Sequence, residues 1–200
     1  MSTAQESFED KEQYTYADYL DWDEDFRAEI IDGVVYEMAP PITIHQRLVG
    51  RLYIKLANFL EGKTCETFVA PFGVRLFPKK DRSDTTVVEP DIIVVCDPGK
   101  IDEQGCNGAP DLVIEILSPS TARKDRLIKF NAYRDAKVRE FWIVSPEEKG
   151  IETYIFDEGR YFAQTYGINE PDTPENEQVP EIVPVSVLPG LEIDVKDIFR

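Results

Sequence analysis

Histidine occurs once in these 200 residues, at position 45, and cysteine three times, at Cys65, Cys96 and Cys106. The cysteines form no CxxC pair and have no histidine at zinc-ligand spacing. This argues against a structural zinc site and predicts reduced, partly buried thiols in a cytosolic protein. Ser118 and Ser120 have no histidine nearby to serve as a base, so a serine nucleophile is disfavoured and Ser118-Pro119-Ser120-Thr121 reads as a helix entrance. No apolar run approaches the ~20 residues of a membrane span. Met1-Ser2-Thr3-Ala4-Gln5-Glu6 has neither the basic n-region nor the apolar core of a signal peptide. A soluble, cytoplasmic chain with no membrane partner is expected, and no internal repeat divides it.

Positive charge is also scarce. Lys and Arg number 22 against 39 Asp and Glu, a formal net charge of -17 that repels nucleic acid and anionic membranes on average. The excess acid lies mainly toward the two ends. Between positions 119 and 139 the sign reverses, with Arg123, Lys124, Arg126, Lys129, Arg134, Lys137 and Arg139 set against Asp125 and Asp135. The length suits one domain, and 42% hydrophobic residues are enough for a sizeable core. Residues 1–13 are polar and expected to be flexible. Residues 14–200 are expected to form a single domain, with an acidic, proline-bearing surface loop over about 168–184.

A short helix is predicted from Thr15, with Tyr16, Tyr19 and Leu20 at helical spacing. Residues 27–31 and 34–38 flank Asp32-Gly33, a dipeptide that tolerates positive φ at both positions, so an N-terminal β-hairpin is expected, ended by Pro40 and Pro41. Ile44, Leu48, Val49, Leu52, Tyr53, Leu56 and Leu60 follow a helical period, and Gly62 supplies a stop. Arg47, Arg51 and Lys55 form a basic stripe on that helix, either a solvated face or a phosphate track. Residues 67–77 read as one strand kinked at Pro71-Phe72-Gly73, and 78–84 as a charged turn. Two apolar strands, 87–95 and 112–117, are separated by a loop over 97–110. A helix then runs to about Ala136, followed by a strand at 141–144, a hairpin of 151–156 with 161–166, and a last strand within 188–195. This order implies an α/β (α+β) domain in which helices flank a mixed central β-sheet.

Two carboxylates interrupt the apolar strands, Asp91 in Val-Val-Glu-Pro-Asp-Ile-Ile-Val-Val and Glu115 in Leu-Val-Ile-Glu-Ile-Leu. An unpaired buried carboxylate costs several kcal/mol, so such acids are paired, neutralised or bound to metal. Glu29 sits in a similar apolar setting in the hairpin. It is either a further carboxylate for the same centre or a cross-strand partner for a base such as Arg27. Asp97 and Asp111 read as turn acids.

Glu89-Pro90-Asp91 followed by Glu115-Ile116-Leu117 resembles the signature of the PD-(D/E)XK, or restriction endonuclease-like, nuclease superfamily. More narrowly, five stretches are similar to the Uma-type restriction endonuclease family. They are Ile31-Asp32-Gly33-Val34-Val35-Tyr36-Glu37-Met38, His45, Val88-Glu89-Pro90-Asp91, Leu112 through Thr121, and Phe141-Trp142-Ile143-Val144. The likeness extends over roughly 14–200 and includes Leu188-Pro189-Gly190-Leu191. It implies a restriction endonuclease-like core and Mg²⁺-dependent cleavage of DNA phosphodiesters, with Mn²⁺ able to replace Mg²⁺. Asp91, Glu115 and the backbone carbonyl of Ile116 would be the metal ligands, with Glu29 assisting. The chemistry agrees with the residues, since Mg²⁺ prefers carboxylate and water oxygens.

The family pattern expects lysine two residues after the second acid, where this chain has Leu117. The resemblance suggests that the lysine has moved to the following helix. Lys129 shares a stripe there with Asp125, Ala132 and Ala136, beside Tyr133, and so faces inward. An ordinary Asp125–Lys129 ion pair on a solvated face is the competing account, and Lys124 is the alternative lysine. His45, at the start of its helix, is either a general base or a capping and packing residue. The leading expectation is a metal-dependent DNA endonuclease, cutting both strands as a homodimer. The alternatives are a non-catalytic binding or assembly module on the same fold, and a metal-dependent hydrolase of a small phosphodiester, for which the acidic surface is less of an obstacle.

Overall fold

The structure, a computed structural model, describes residues 11–23, 26–118 and 123–200. Helix α1 (Tyr16–Leu20) begins at Thr15, where Asp18 Oδ2 accepts from both the backbone N–H and the hydroxyl of Thr15 at 2.8 Å. Strands β1 (Ala28–Ile31) and β2 (Val34–Glu37) form the expected hairpin, with Asp32 at φ 52° and Gly33 at φ 81°, as a two-residue turn of this kind requires. Helix α2 (Thr43–Leu60) buries Leu48, Leu52, Leu56 and Leu60 on one stripe.

The stretch expected as one kinked strand is two, β3 (Glu66–Val69) and β4 (Gly73–Arg75), and they belong to different sheets. Next come β5 (Val87–Val88) and β6 (Ile92–Val95). The loop expected over 97–110 carries a small polar hairpin, β7 (Ile101–Asp102) with β8 (Gly105–Asn107), before β9 (Leu112–Ile116). Asp102 organises it by accepting from Gln104 N, Gly105 N and Asn107 Nδ2. These strands are too short and too polar to show an apolar alternation.

A π-helical stretch (Lys124–Lys129) leads into α3 (Phe130–Asp135), then β10 (Glu140–Ser145), β11 (Gly150–Asp157) and β12 (Arg160–Gly167). The chain closes with β13 (Ile182–Pro184), β14 (Glu192–Asp194) and α4 (Val195–Phe199). The expected last strand pairs with β13, at the end of the acidic loop, and not with a large sheet.

The central sheet has the order β12-β11-β10-β9-β6-β3 and is mixed, with β9 and β10 parallel and the other neighbours antiparallel. A second sheet, β2-β1-β5-β4-β8-β7, stands apart from it. One face of the central sheet sends Ile92, Val94, Leu112, Ile114 and Trp142 against the α2 leucines and Ile193, Val195 and Ile198 of the tail. The other sends Ile93, Val113, Phe141 and Ile143 against Tyr133 and Ala132 of α3 and Ile31, Val74 and Val88 of the second sheet. Burial on both faces is why β6 and β9 read as unbroken apolar runs. Two members of the α2 basic stripe hold the tail. Arg51 donates to Ile198 O at 2.8 Å, and Lys55 pairs with Asp197 at 2.5 Å. Among the described residues, no helix is long and apolar enough to cross a membrane.

The expectation of three reduced thiols is corrected. Cys65 and Cys96 form a disulfide. They lie one step beyond the Glu66–Val95 pair of the β3–β6 ladder, so strand register brings together residues whose separation of 31 shows no motif. Cys106 is a free, buried thiol, and burial pushes its pKa up to about 11, which leaves it unreactive at neutral pH. Thiol titration of the denatured, unreduced chain is therefore expected to count one sulfhydryl, and three after reduction.

Candidate active site

Strand register creates the site. Ile92 is paired with Ile114 across β6 and β9, and one step further along the same antiparallel register Asp91 falls opposite Glu115. Directly opposed residues point to one face with Cβ atoms roughly 4.5–5.5 Å apart. That face carries Ile93, Val113 and, beside Glu115 on β10, Ile143, so the two acids emerge from the apolar layer facing the second sheet. Asp91 Oδ2 accepts from Ile116 N at 2.7 Å and lies 3.1 Å from His45 Nε2.

The second sheet brings a third acid. Glu29 of β1 is fully buried, and Glu89 N donates to its Oε1 at 2.9 Å. Lys129 Nζ bridges the two sheets, 2.8 Å from Glu29 Oε1 and 2.5 Å from Glu115 Oε1, while Lys124 Nζ lies 2.6 Å from Glu29 Oε2. Tyr133 Oη donates to Glu115 Oε1 at 2.5 Å. Glu89 accepts from Tyr19 Oη at 2.8 Å and from Arg27 at 2.7 Å.

Both lysines reach one carboxylate because the chain between them is π-helical. In an α-helix, residues five apart point about 140° away from each other. The i→i+5 spacing of the π-helical stretch stacks Lys124 near Lys129, so both converge on Glu29. The two lysines weighed as alternatives therefore act together, and Lys129 is the inner one, its side chain 3% exposed against 14% for Lys124. Lys129 lies on no solvated face, and the Asp125–Lys129 surface pair is not what holds it.

Charge in the site is unevenly matched. Burial pushes Glu115 up to about 8, Lys129 opposes this, and the carboxylates of Asp125, Asp91 and Glu29 add to the rise. Burial acts on Glu29 in the same sense, but Lys129 and Lys124 prevail and hold it below its usual value. Lys129 is disfavoured as a cation by burial, yet Glu115 and Glu29 raise it well above the ordinary lysine value. For His45 burial lowers the pKa, and its hydrogen bond and attraction to Asp91, helped by Asp125 and the Ile116 backbone, more than reverse the effect.

These groups line a cavity of about 340 Å³ whose walls carry Glu29, Glu89, Asp91, Glu115 and Asp125 against Arg27, Lys124 and Lys129. The wall's carboxyl groups outnumber its lysines and arginine by two, an excess that the raised Glu115 and the raised His45 both reduce. Elsewhere the buried acids are satisfied. Asp84 is held by Arg75, Asp111 by Arg139 and Cys96 N, and Glu140 by Trp142 and Val187 N, each using both oxygens. Glu115 Oε2 and Asp91 Oδ1 have no protein partner among the described residues, and neither atom is sealed in the core. Among the described residues, no three Asp, Glu, His or Cys side chains converge as a ready-made cage. Two carboxyl groups with open oxygens in an acid-rich wall nevertheless fit Mg²⁺, which keeps several waters and takes one or two protein carboxylates.

Asp91, Glu115, Ile116, Lys129 and Glu29 all border this cavity, as does Lys124. Ser118 borders it too, whereas the rest of the Ser-Pro-Ser-Thr entrance lies outside the described residues. Asp97 caps a 3₁₀ turn through Gly99 N, as a turn acid should. The sequence left His45 open between a general base and a capping or packing residue and set Asp125 and Tyr133 only on or beside the Lys129 stripe, whereas the structure brings His45 and Asp125 to the cavity wall and Tyr133 onto Glu115. A signal for His45 was present, because it falls on the buried stripe of Leu48, Leu52 and Leu56, where a polar residue needs a reason.

Removing either lysine should destabilise the fold, but unequally. Lys129→Met takes from Glu115 its lysine and from Glu29 one of two, and is expected to cost roughly 3–5 kcal/mol. Lys124→Met leaves Glu29 with Lys129 and should cost roughly 1.5–3 kcal/mol. Urea denaturation measures both, and equal losses would contradict this division of roles.

The sequence matches the Uma2 family, described as "Putative restriction endonuclease", over residues 16–196. A protein of Synechocystis sp. (strain ATCC 27184 / PCC 6803 / Kazusa), "Uncharacterized protein slr1290", is 30% identical over 140 residues, covering 68% of this chain and 71% of that one. Among solved structures, one described as a putative nuclease belonging to DUF820 from Anabaena variabilis ATCC 29413 superposes with a TM-score of 0.69 at 21% identity. That match covers 93% of this chain and 97% of the other, and it shows a shared nuclease-like fold. The chain is a member of the Uma2 family of putative restriction endonucleases.

Proposed function

We propose that this protein is a Mg²⁺-dependent endonuclease that hydrolyses DNA phosphodiester bonds. The observation that carries the reading is the opposition of Asp91 and Glu115 across β6 and β9, with Lys129 2.5 Å from Glu115. The chain's family membership supports the nuclease class. Asp91 and Glu115, with the Ile116 carbonyl, would hold the ion, and Mn²⁺ can take its place. When bound there, Mg²⁺ supplies charge neutralisation at the scissile phosphate and acidifies a water.

Lys129 is seated against the carboxylate of Glu115, so it can stabilise charge developing on the phosphate or orient the attacking water. It takes the part of the lysine that Leu117 displaces, since Leu117 is itself packed into the apolar layer beside Val113. Glu29 has its oxygens occupied by Lys129, Lys124 and Glu89 N. Its role is thus to aim the lysines. Cleavage of both strands would call for two copies of the site, as a homodimer provides.

A second reading, hydrolysis of a small phosphodiester, draws on the net charge of -17 and on a cavity of about 340 Å³, within the range of small-molecule sites. The two differ in salt response, since neutralising several DNA phosphates makes affinity fall steeply with salt. Metal binding without salt-sensitive DNA binding would favour the small substrate.

Purified protein is expected to nick supercoiled DNA with Mg²⁺ and to stop when the ion is chelated. Asp91→Ala and Glu115→Ala should reduce cutting to background, and Lys129→Ala by roughly 10²–10³-fold. An Asp91→Ala or Glu115→Ala protein that cut as well as wild type, free of contaminating nuclease, would sink the proposal.

A further inference from the structure

His45, which the sequence leaves as either a general base or a capping and packing residue, is the residue of α2 that enters the cavity most deeply buried, at 8% exposure. It is one turn ahead of Leu48 on the stripe that anchors α2 to the central sheet, so the imidazole is carried by a long, well-packed helix. Its Nε2 lies 3.1 Å from Asp91 Oδ2, the oxygen that also accepts from Ile116 N at 2.7 Å. The Ile116 backbone bears on the same ring. Two donors from different elements are thus spent on one oxygen of Asp91, and Oδ1 is the oxygen left open.

We propose that His45 is a positioning residue, donating from Nε2 to Asp91 Oδ2 so that Oδ1 is presented to the divalent ion. The inference rests on the proposed metal site and adds to it the means by which Asp91 is oriented. Rotation of the carboxylate would exchange its two oxygens. The Ile116 amide alone leaves that rotation partly open, because a single hydrogen bond defines one direction but not the plane of the group. A second donor fixed by α2 restrains the plane. Hydrogen-bonded partners of ligating carboxylates characteristically affect metal affinity by 10–100-fold. Nδ1 of His45 is buried and has no protein partner among the described residues, so the ring is retained here at the expense of one unsatisfied nitrogen. A residue chosen only for packing on the leucine stripe would carry no such nitrogen.

The test is calorimetric titration of the full chain with Mn²⁺, comparing wild type, His45→Phe and His45→Gln, with thermal denaturation to establish that each variant is folded. Phe keeps the planar shape and lacks the donor, whereas Gln restores an N–H donor. The expected result is Mn²⁺ binding weakened about 10–100-fold in His45→Phe and largely recovered in His45→Gln. His45→Leu, also without a donor, replaces His45→Phe if the larger ring does not fold. Undiminished affinity in a folded donor-less variant overturns the positioning role while leaving the metal site standing. So does a folded His45→Gln that binds as weakly as the donor-less variant. Wild type that binds no Mn²⁺ overturns the metal site and this inference together.

Discussion

A single buried ammonium joins the parts of this protein. Lys129 belongs to the helical segment, Glu115 to the central sheet and Glu29 to the second sheet, and the lysine touches both acids. Each of these charges would be costly alone in the interior, and their mutual attraction offsets that cost only while all three elements keep their places. The cluster therefore constrains how the sheets and helix dock as well as what the cavity can do. Apolar contacts alone, such as Tyr133 against Phe141, would tolerate small slips between layers. Hydrogen-bonded charges tolerate far less, because their energy is directional and strongly distance-dependent.

The same cluster is unfinished as a piece of electrostatics. Glu29 is saturated by two lysines and a backbone amide, whereas Glu115 shares one lysine and has an oxygen open to the cavity. A protein built only for stability would close that site as it closes Glu140, between Trp142 and Val187 N. Asp91 and Glu115 are left partly unmatched, as the proposed cation site requires. A raised Glu115 carboxyl beside a buried lysine, in a cleft, marks a candidate functional site. The overall charge of -17 is uneven at short range, because Arg27, Lys124 and Lys129 stand among the acids of the cavity wall, paired with Glu89 and Glu29.

Support for the site comes from elements far along the chain. Helix α2 both fills one core layer and carries His45 to Asp91, and it is braced from behind by α4 through Arg51 and Lys55. The basic stripe on α2 is thus used inside the protein, at least at two of its three positions. The β3–β6 ladder, closed at its far end by the Cys65–Cys96 disulfide, ends on the other side at Asp91.

Much of this was legible in the amino-acid order. The hairpin followed from Asp32-Gly33, the long helix from its leucine period, and the central strands from two apolar runs that only double-sided burial explains. Asp91 and Glu115 stood out because a carboxylate within such a run needs a partner. Local pattern did not reveal which partner. Strand register opposes Asp91 to Glu115 and Cys65 to Cys96. Sheet-to-sheet docking brings Glu29 to Lys129, and a π-helical stretch, with no periodic signature of its own, aligns Lys124 with Lys129. The split of one expected strand between two sheets and the polar β7–β8 hairpin were likewise hidden, since turn geometry and long-range pairing decide them. The sequence by itself determined which residues had to be buried and which of those were chemically out of place. Only the tertiary structure decided how they meet, because register, docking and helix pitch are settled by contacts between residues distant in the chain.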